Sequence, residues 1–327
     1  MGVILVTGGA GYIGSHACKA LADAGHVPVT YDNLSTGWED AVKFGPFEAG
    51  ELSDRARLDA VLARHQPEAV MHFAALSDVG QSVREPGLYW RNNVAGSMTL
   101  LDAVTAAGTP RFVFSSTCAT YGEQDGVTLD ESCAQNPINA YGGSKRAVED
   151  MLRDYARASG LAHVSFRYFN VAGADPERQV GEHHRPETHL IPVALDAVRG
   201  RRDKLTIFGT DYDTRDGTCV RDYVHVMDLV DAHIRGLDYL AKGGTETVFN
   251  LGTGDGFTVR EVLETVAEVT DSAVPAVEGP RRPGDCTALV SGSRRAAELL
   301  GWVPERSTLP EMIGDAWGWH QTAGYTK

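Results

Sequence analysis

The sequence predicts an α/β fold: a doubly wound parallel sheet with helices on both faces, followed by a smaller mixed α/β region. Three observations carry this. Short apolar runs at Val3–Val6, Val27–Tyr31, Ala69–Phe73, Arg111–Phe114 and His163–Arg167 each precede a longer amphipathic stretch, and strand alternating with helix builds a parallel sheet. A glycine-rich segment, Thr7-Gly8-Gly9-Ala10-Gly11-Tyr12-Ile13-Gly14, joins the first strand to the first helix. An acid, Asp32, ends the second strand.

Gly8, Gly11 and Gly14 allow a tight turn and a close backbone approach to a pyrophosphate, while the helix N-terminus behind them offers free N–H groups and a positive dipole end. The spacing departs by one residue from G-x-G-x-x-G, but the flanking strand and helix complete a Rossmann-type phosphate loop. Asp32 lies 18 residues past Gly14. A carboxylate there accepts hydrogen bonds from the adenosine ribose hydroxyls and repels a 2′-phosphate, which selects NAD over NADP. A strand-ending Asp in a simple turn is the plainer reading of that residue alone; the loop before it favours the cofactor.

Beyond Asn170 the rhythm changes to loops rich in Gly, Pro and His, isolated helices and short strands. The expected division is an NAD-binding region over 1–170 and a substrate-binding region over 171–327, with segments of the second returning to the first sheet. The 327 residues are 43% hydrophobic and 23% charged, ordinary for a globular chain. No apolar run approaches the length of a membrane span, and Met1–Gly8 reads as a buried strand rather than a signal segment. Five cysteines without a C-x-x-C pair fit reduced thiols in a cytoplasm. A net charge of −14 argues against nucleic acid as a partner and requires local cations wherever an anion binds. His183, His184 and His189 share a Pro-containing loop with Glu182 and Glu187; this reads as solvated loop, and no metal is expected.

Tyr141-Gly142-Gly143-Ser144-Lys145 opens a helix that places phenol and ammonium one turn apart on one face. A free tyrosine titrates near 10, so serving as a base demands positive charge nearby, against the opposing effect of burial. Ser115, Ser116 and Thr117 end the strand that begins at Arg111, where open parallel sheets hold their chemistry. A hydroxyl there can relay a proton or hold the reacting oxygen. Together these groups suit removal of a proton from an alcohol during hydride transfer.

Residues 7–14, Y-D-N-L (31–34), H-F-A-A (72–75), N-N-V (92–94), S-S-T-C-A-T-Y-G (115–122), Y-G-G-S-K (141–145) and R-Y-F-N-V-A-G-A (167–174) resemble the extended short-chain dehydrogenase/reductases. H-L-I-P (189–192), I-F-G-T-D-Y (207–212), D-G-T-C-V-R-D-Y-V-H-V-M-D (216–228) and R-R-P-G-D (281–285) are similar to that family's nucleotide-sugar epimerases. The resemblance covers nearly the whole chain. It implies Tyr141 as base, Lys145 as its electrostatic partner and nicotinamide-ribose anchor, and Thr117 (often serine in the family) beside the sugar oxygen. It implies an NAD site of Gly8, Gly11, Tyr12, Ile13, Gly14, Asp32, Asn33, Glu51, Leu52, Phe73, Ala74, Ala75, Asn92, Ser115, Tyr141, Lys145 and Tyr168. Glu51 stands where the family commonly has Asp near the adenine, and Ser77 where some members carry lysine. For a UDP-sugar it implies Thr117, Tyr141, Asn170, His189, Leu190, Thr206, Phe208, Arg221, Arg282, Asp285 and Leu289. Arg221 has a structural reading too, as an ion pair with Asp222, and Arg282 as an exposed basic turn.

The implied reaction is redox-neutral inversion at carbon 4 of UDP-glucose and UDP-galactose, in a homodimer paired through a helix bundle. An epimerase of another UDP-sugar stays open, because Leu289, at a position that gates pocket size, has intermediate bulk. A nucleotide-sugar 4,6-dehydratase would have Thr-Asp-Glu where this chain has Thr117-Cys118-Ala119. A non-catalytic NAD-binding regulator would be expected to lack Tyr141 or Lys145.

Overall fold

Alternation within the first apolar runs decides how the main sheet is buried. Ile4, Val6, Ala69, Met71, Val113, Val164 and Phe166 enter one apolar cluster, and Leu5, Val29, Val70, Phe112 and Phe114 enter another. Successive side chains of a strand point to opposite faces, so both faces are dry and each must be covered by helices. In this computed structural model, which describes residues 2–124, 128–282 and 285–325, they are.

The strands are β1 (Val3–Thr7), β2 (Val27–Asp32), β3 (Phe47–Ala49), β4 (Ala69–His72), β5 (Arg111–Ser115), β6 (Ala162–Tyr168), β7 (Asn170–Ala172), β8 (Leu205–Phe208), β9 (Val220–His225), β10 (Val248–Leu251), β11 (Gly256–Thr258), β12 (Ala276–Gly279) and β13 (Ala288–Leu289). The helices are α1 (Tyr12–Asp23), α2 (Arg55–His65), α3 (Val79–Arg84), α4 (Pro86–Tyr89), α5 (Gly96–Ala106), α6 (Ala140–Ser159), α7 (Leu190–Val198), α8 (Val226–Ala241), α9 (Val259–Thr270), α10 (Arg294–Leu300) and α11 (Leu309–His320). Among the described residues no helix is long and apolar enough to cross a membrane.

The large sheet has the order β10-β6-β5-β4-β1-β2-β3, and each pairing in it is parallel. The order reverses beside β1, so the loops after β1 and β4 diverge there and open a crevice at the strand C-terminal ends. Residues of α1 and α8 cover one face, and residues of α2, α5 and α6 the other. The five strands anticipated from apolar runs form within a residue or so of their expected ends. β3 was not anticipated, because three residues carry no periodic signal. β10 belongs to the large sheet although it lies far beyond residue 170.

The later chain builds a sheet of order β11-β9-β13, with β7 also pairing β9, and a parallel pair β8–β12. Ile191, Leu195, Ile207, Val262, Met312 and Ile313 form its core, so α7, α9 and α11 pack together. Thr258 and Glu261 make a reciprocal capping box at the start of α9, satisfying two N–H groups that a helix end leaves open.

Phe166 is fully buried and packs on Phe249 of β10 and His233 of α8. Phe166→Ala is expected to lower stability by about 3–5 kcal/mol, the range for an aromatic deletion that leaves a cavity. Urea unfolding of the two proteins measures it.

Candidate active site

A single cavity of about 970 Å³ runs from the glycine-rich loop after β1 to Arg282. Every residue that the sequence nominated for a dinucleotide or a nucleotide-sugar lies on its wall.

At the dinucleotide end, Gly14 sits so close to the preceding turn that an added Cβ would come within 2.1 Å of the Gly8 carbonyl oxygen. Only glycine lets the N-terminus of α1 lie this close to the loop. The helix has no side-chain cap and no acid in its first turn, which leaves its positive end available to an anion. Asp32 accepts the Ala10 N–H at 3.0 Å and the Leu34 N–H at 2.8 Å. Burial lifts its carboxyl above the ordinary value, with those N–H groups opposing. Glu51 is turned toward Asn33, whose side-chain amide donates to it at 3.0 Å. Asn92 lies in a π-helical turn, Trp90–Ala95, a distortion frequent at functional sites. A bare helix end at the loop, and an acid at the next strand end, fit a dinucleotide.

The chemistry centres where α6 meets the end of β5. Asn139 caps α6 by accepting the Gly142 N–H at 2.8 Å. Gly142 is needed for the approach, since a Cβ would lie 2.3 Å from the Ala119 carbonyl oxygen. With the backbones this close, the Tyr141 phenol and the Thr117 hydroxyl lie beside one another on the cavity wall. Lys145, 4% exposed, donates to the Ser115 carbonyl oxygen at 2.7 Å. Its ammonium lies 4.9 Å from the Phe114 ring centroid. Tyr168 shares a short hydrogen bond with Ser115.

Burial drives the Tyr141 phenol well above the ordinary tyrosine value, with Tyr168 adding to this and the neighbouring Thr117 hydroxyl opposing. Burial likewise pulls Lys145 down to about 7, with Glu149 opposing. A phenolate therefore needs a further positive charge from a ligand.

At the far end, Arg221 donates to the Val220 and Cys286 carbonyl oxygens at 2.8 and 2.9 Å and lies 3.6 Å from Asp285. Arg282 reaches the same carboxylate at 2.9 Å, with its guanidinium 4.8 Å from the Phe208 ring centroid. The alternative pairing of Arg221 with Asp222 does not form: Asp222 accepts backbone N–H groups of Thr253, Gly254 and Ser291 instead. Leu289 on β13 sits in register with Arg221 on β9. Asn170 on β7 sits in register with Tyr223 on β9. Leu190, Thr206 and Phe208 complete this wall.

The loop before α7 is packed at its start and open further on: Glu182 is buried, whereas Arg185, Pro186, Thr188 and His189 are exposed. Glu182 is 5% exposed, and donor atoms of Glu182, His184, Glu187 and His189 all lie within 4.8 Å of one another. The His189 ring is turned onto Glu182 in a short contact. Sequence reasoning also passed over Arg202, Lys204 and Tyr223, which line the cavity. The Arg201-Arg202-Asp203-Lys204 run is a local cationic signal in an acidic chain; Tyr223 offered none beyond its neighbour Arg221.

This arrangement has close relatives. A UDP-glucose 4-epimerase of Rhizobium meliloti (strain 1021) is 55% identical over 97% of this chain and 96% of its own. The structure of a UDP-glucose 4-epimerase from Brucella ovis in complex with NAD superposes with a TM-score of 0.95 at 47% identity, covering 98% of each chain. A Bifidobacterium longum UDP-glucose 4-epimerase in complex with NAD+ and UDP superposes with a TM-score of 0.91 at 32% identity, covering 97% of this chain and 98% of that one. Residues 4–252, which contain the glycine loop, Asp32 and the Tyr141–Lys145 pair, match the model of one family: the chain belongs to the NAD dependent epimerase/dehydratase family.

Proposed function

We propose that this chain interconverts UDP-glucose and UDP-galactose by transient oxidation at sugar carbon 4, with NAD held throughout the cycle. The observation that carries this is that Tyr141, Thr117 and Lys145 line one cavity together with a dinucleotide loop and two arginines. The 55% identity to a UDP-glucose 4-epimerase supports the choice of sugar.

Bound NAD supplies the hydride acceptor and, once reduced, the donor, together with a positive ring that favours the Tyr141 phenolate. Gly11, Tyr12, Ile13 and Asp32 hold the dinucleotide; Lys145 and Asn92 face its nicotinamide half. Tyr141 takes the proton of the 4-hydroxyl while Thr117 holds that oxygen, and the C4–H bond gives up its hydride. The 4-keto sugar turns over while Arg221 and Arg282 keep the diphosphate, as planar guanidinium groups do well. Tyr141 returns its proton to the oxygen as hydride re-adds to the opposite face, so the cycle neither consumes nor produces reductant.

The same reading includes a homodimer and a cytoplasmic location. Val83, Trp90 and Met98, on or beside α3, α4 and α5, are large apolar side chains with 44–64% exposure, next to α6. A second copy paired through these helices would cover them. The five cysteines are free thiols, as a reducing compartment keeps them.

Incubation with UDP-galactose and no added NAD is expected to yield UDP-glucose, followed by NMR, and Tyr141→Phe is expected to lower turnover about a hundredfold or more. No conversion with NAD supplied would sink the glucose/galactose assignment; UDP-N-acetylglucosamine, UDP-xylose and UDP-glucuronate then test the other sugars. In sedimentation velocity the chain is expected to run at twice its mass, and Trp90→Glu to shift it toward the monomer; a monomeric wild type removes the dimer.

Lys145 gives a pH prediction. Its folded value of about 7 lies below the ordinary 10.5, so between those values the unfolded chain binds the extra proton. Stability from this group therefore rises with pH through that window. The melting temperature of the wild type is expected to climb relative to Lys145→Met as pH rises from about 7 toward 10. Parallel pH profiles of the two proteins would contradict it.

A further inference from the structure

The loop between β7 and α7 brings together four side chains that the proposed reaction does not use as acids, bases or hydride-transfer groups. Glu182 and Glu187 have side chains 5% and 10% exposed, His184 31% and His189 54%. The His184 Nδ1 lies 3.1 Å from Glu182 Oε1 and 3.6 Å from Glu187 Oε2, and the His189 Nδ1 lies 3.9 Å from Glu187 Oε1. The Glu182 and His189 atoms are closer still. Donors bound at zinc distances of about 2.0–2.2 Å in a tetrahedron stand roughly 3.4 Å from one another. The observed spacings bracket that value, and a small rotation of the half-exposed His189 ring would open the shortest.

We propose that Glu182, His184, Glu187 and His189 form a binding site for a divalent transition-metal ion, zinc foremost. Two imidazole nitrogens and two carboxylates are a borderline donor set; calcium and magnesium favour oxygen alone. Two carboxylates balance the charge of a divalent ion, leaving both imidazoles neutral as ligands require. The surroundings are already fixed. Glu187 Oε1 accepts the backbone N–H groups of Thr188 and His189 at 2.8 and 2.9 Å, which orients that carboxylate as outer partners do in metal sites. Trp319 donates to the Glu182 carbonyl oxygen at 2.9 Å, and Trp38 to that of His183 at 2.7 Å. The guanidinium of the intervening Arg185 is directed away, 5.0 Å from the Trp38 ring centroid, and does not take the cation's place.

The ion's role is structural. The His184 ring meets Tyr12 of the dinucleotide loop edge to face, with centroids 6.4 Å apart, and His189 is the residue before α7, whose Leu190 lines the nucleotide-sugar end. A metal clip here would fasten the loop that touches both halves of the cavity. The inference is independent of which sugar is turned over.

The untagged full chain, stripped with chelator and dialysed, is titrated with Zn2+ by calorimetry and with Co2+ by visible absorption. One equivalent bound per chain at micromolar affinity or tighter, with Co2+ bands of a four- or five-coordinate ion, is the expected result. His184→Ala and Glu182→Gln should each weaken Zn2+ binding more than about tenfold. Absence of stoichiometric binding, or binding unchanged in His184→Ala, overturns the proposal. Because His184 is part-exposed, that variant decides even if loss of the buried Glu182 carboxylate impairs folding. Turnover of UDP-galactose, assayed in parallel, reports on the proposed reaction separately.

Discussion

The geometry of the site depends on how α6 is locked to the ends of β5 and β6. Glu149, one turn beyond Lys145, is buried with Arg167 of β6, and the two share hydrogen bonds of 3.0 and 2.6 Å. Glu149 also accepts Ser116 at 2.5 Å and Gln135 at 2.9 Å. Arg167 donates onward to Tyr121, which donates to Asn250 of β10. An ion pair removed from water is costly unless its remaining donors and acceptors are met; here the partners come from several different segments, so these segments must all arrive for the pair to be satisfied. Thr117 follows Ser116 directly. The hydroxyl that faces Tyr141 is thereby positioned by a network on the other side of the strand end.

The nucleotide-sugar end solves a different problem. On the proposed reading a chain of net charge −14 must hold an anion, and the guanidinium groups that would do so are already oriented. Asp285 stands between Arg221 and Arg282, which keeps two cations close without a ligand and sets them on one side of the cavity. A diphosphate arriving there would exchange one set of carboxylate contacts for another set of oxygens, leaving little side-chain freedom to be lost on binding. Screening by water and salt weakens the exposed Arg282–Asp285 contact, making it the easier of the two to exchange.

Most of the first sheet was legible because buried parallel strands are short apolar blocks separated by amphipathic helices. The glycine loop was legible because its backbone has steric demands that only glycine meets, as the 2.1 Å contact at Gly14 shows. Tyr141 and Lys145 could be paired by helical spacing alone, but their protonation could not: it follows from how completely the strand ends and α6 exclude water. The partner of Arg221 was also out of reach: strand alternation turns Asp222 to the opposite face, and only the β9–β13 pairing brings the segment of Asp285 alongside. The burial of Glu182 at the start of the loop before α7 was out of reach for a related reason. That loop's polar composition resembles solvated chain, and the burial comes from Trp38, Trp319 and Tyr325, far away in sequence.

The place of β10 at the outer edge of the large sheet has a consequence during synthesis. β6 emerges from the ribosome well before Val248, and until β10 arrives its outer row of backbone N–H and C=O groups has no strand beside it. An uncovered parallel edge is a template for pairing with another nascent chain. The order in which the polypeptide is made thus leaves the half carrying Tyr141 and Lys145 open along the β6 side until β10 docks.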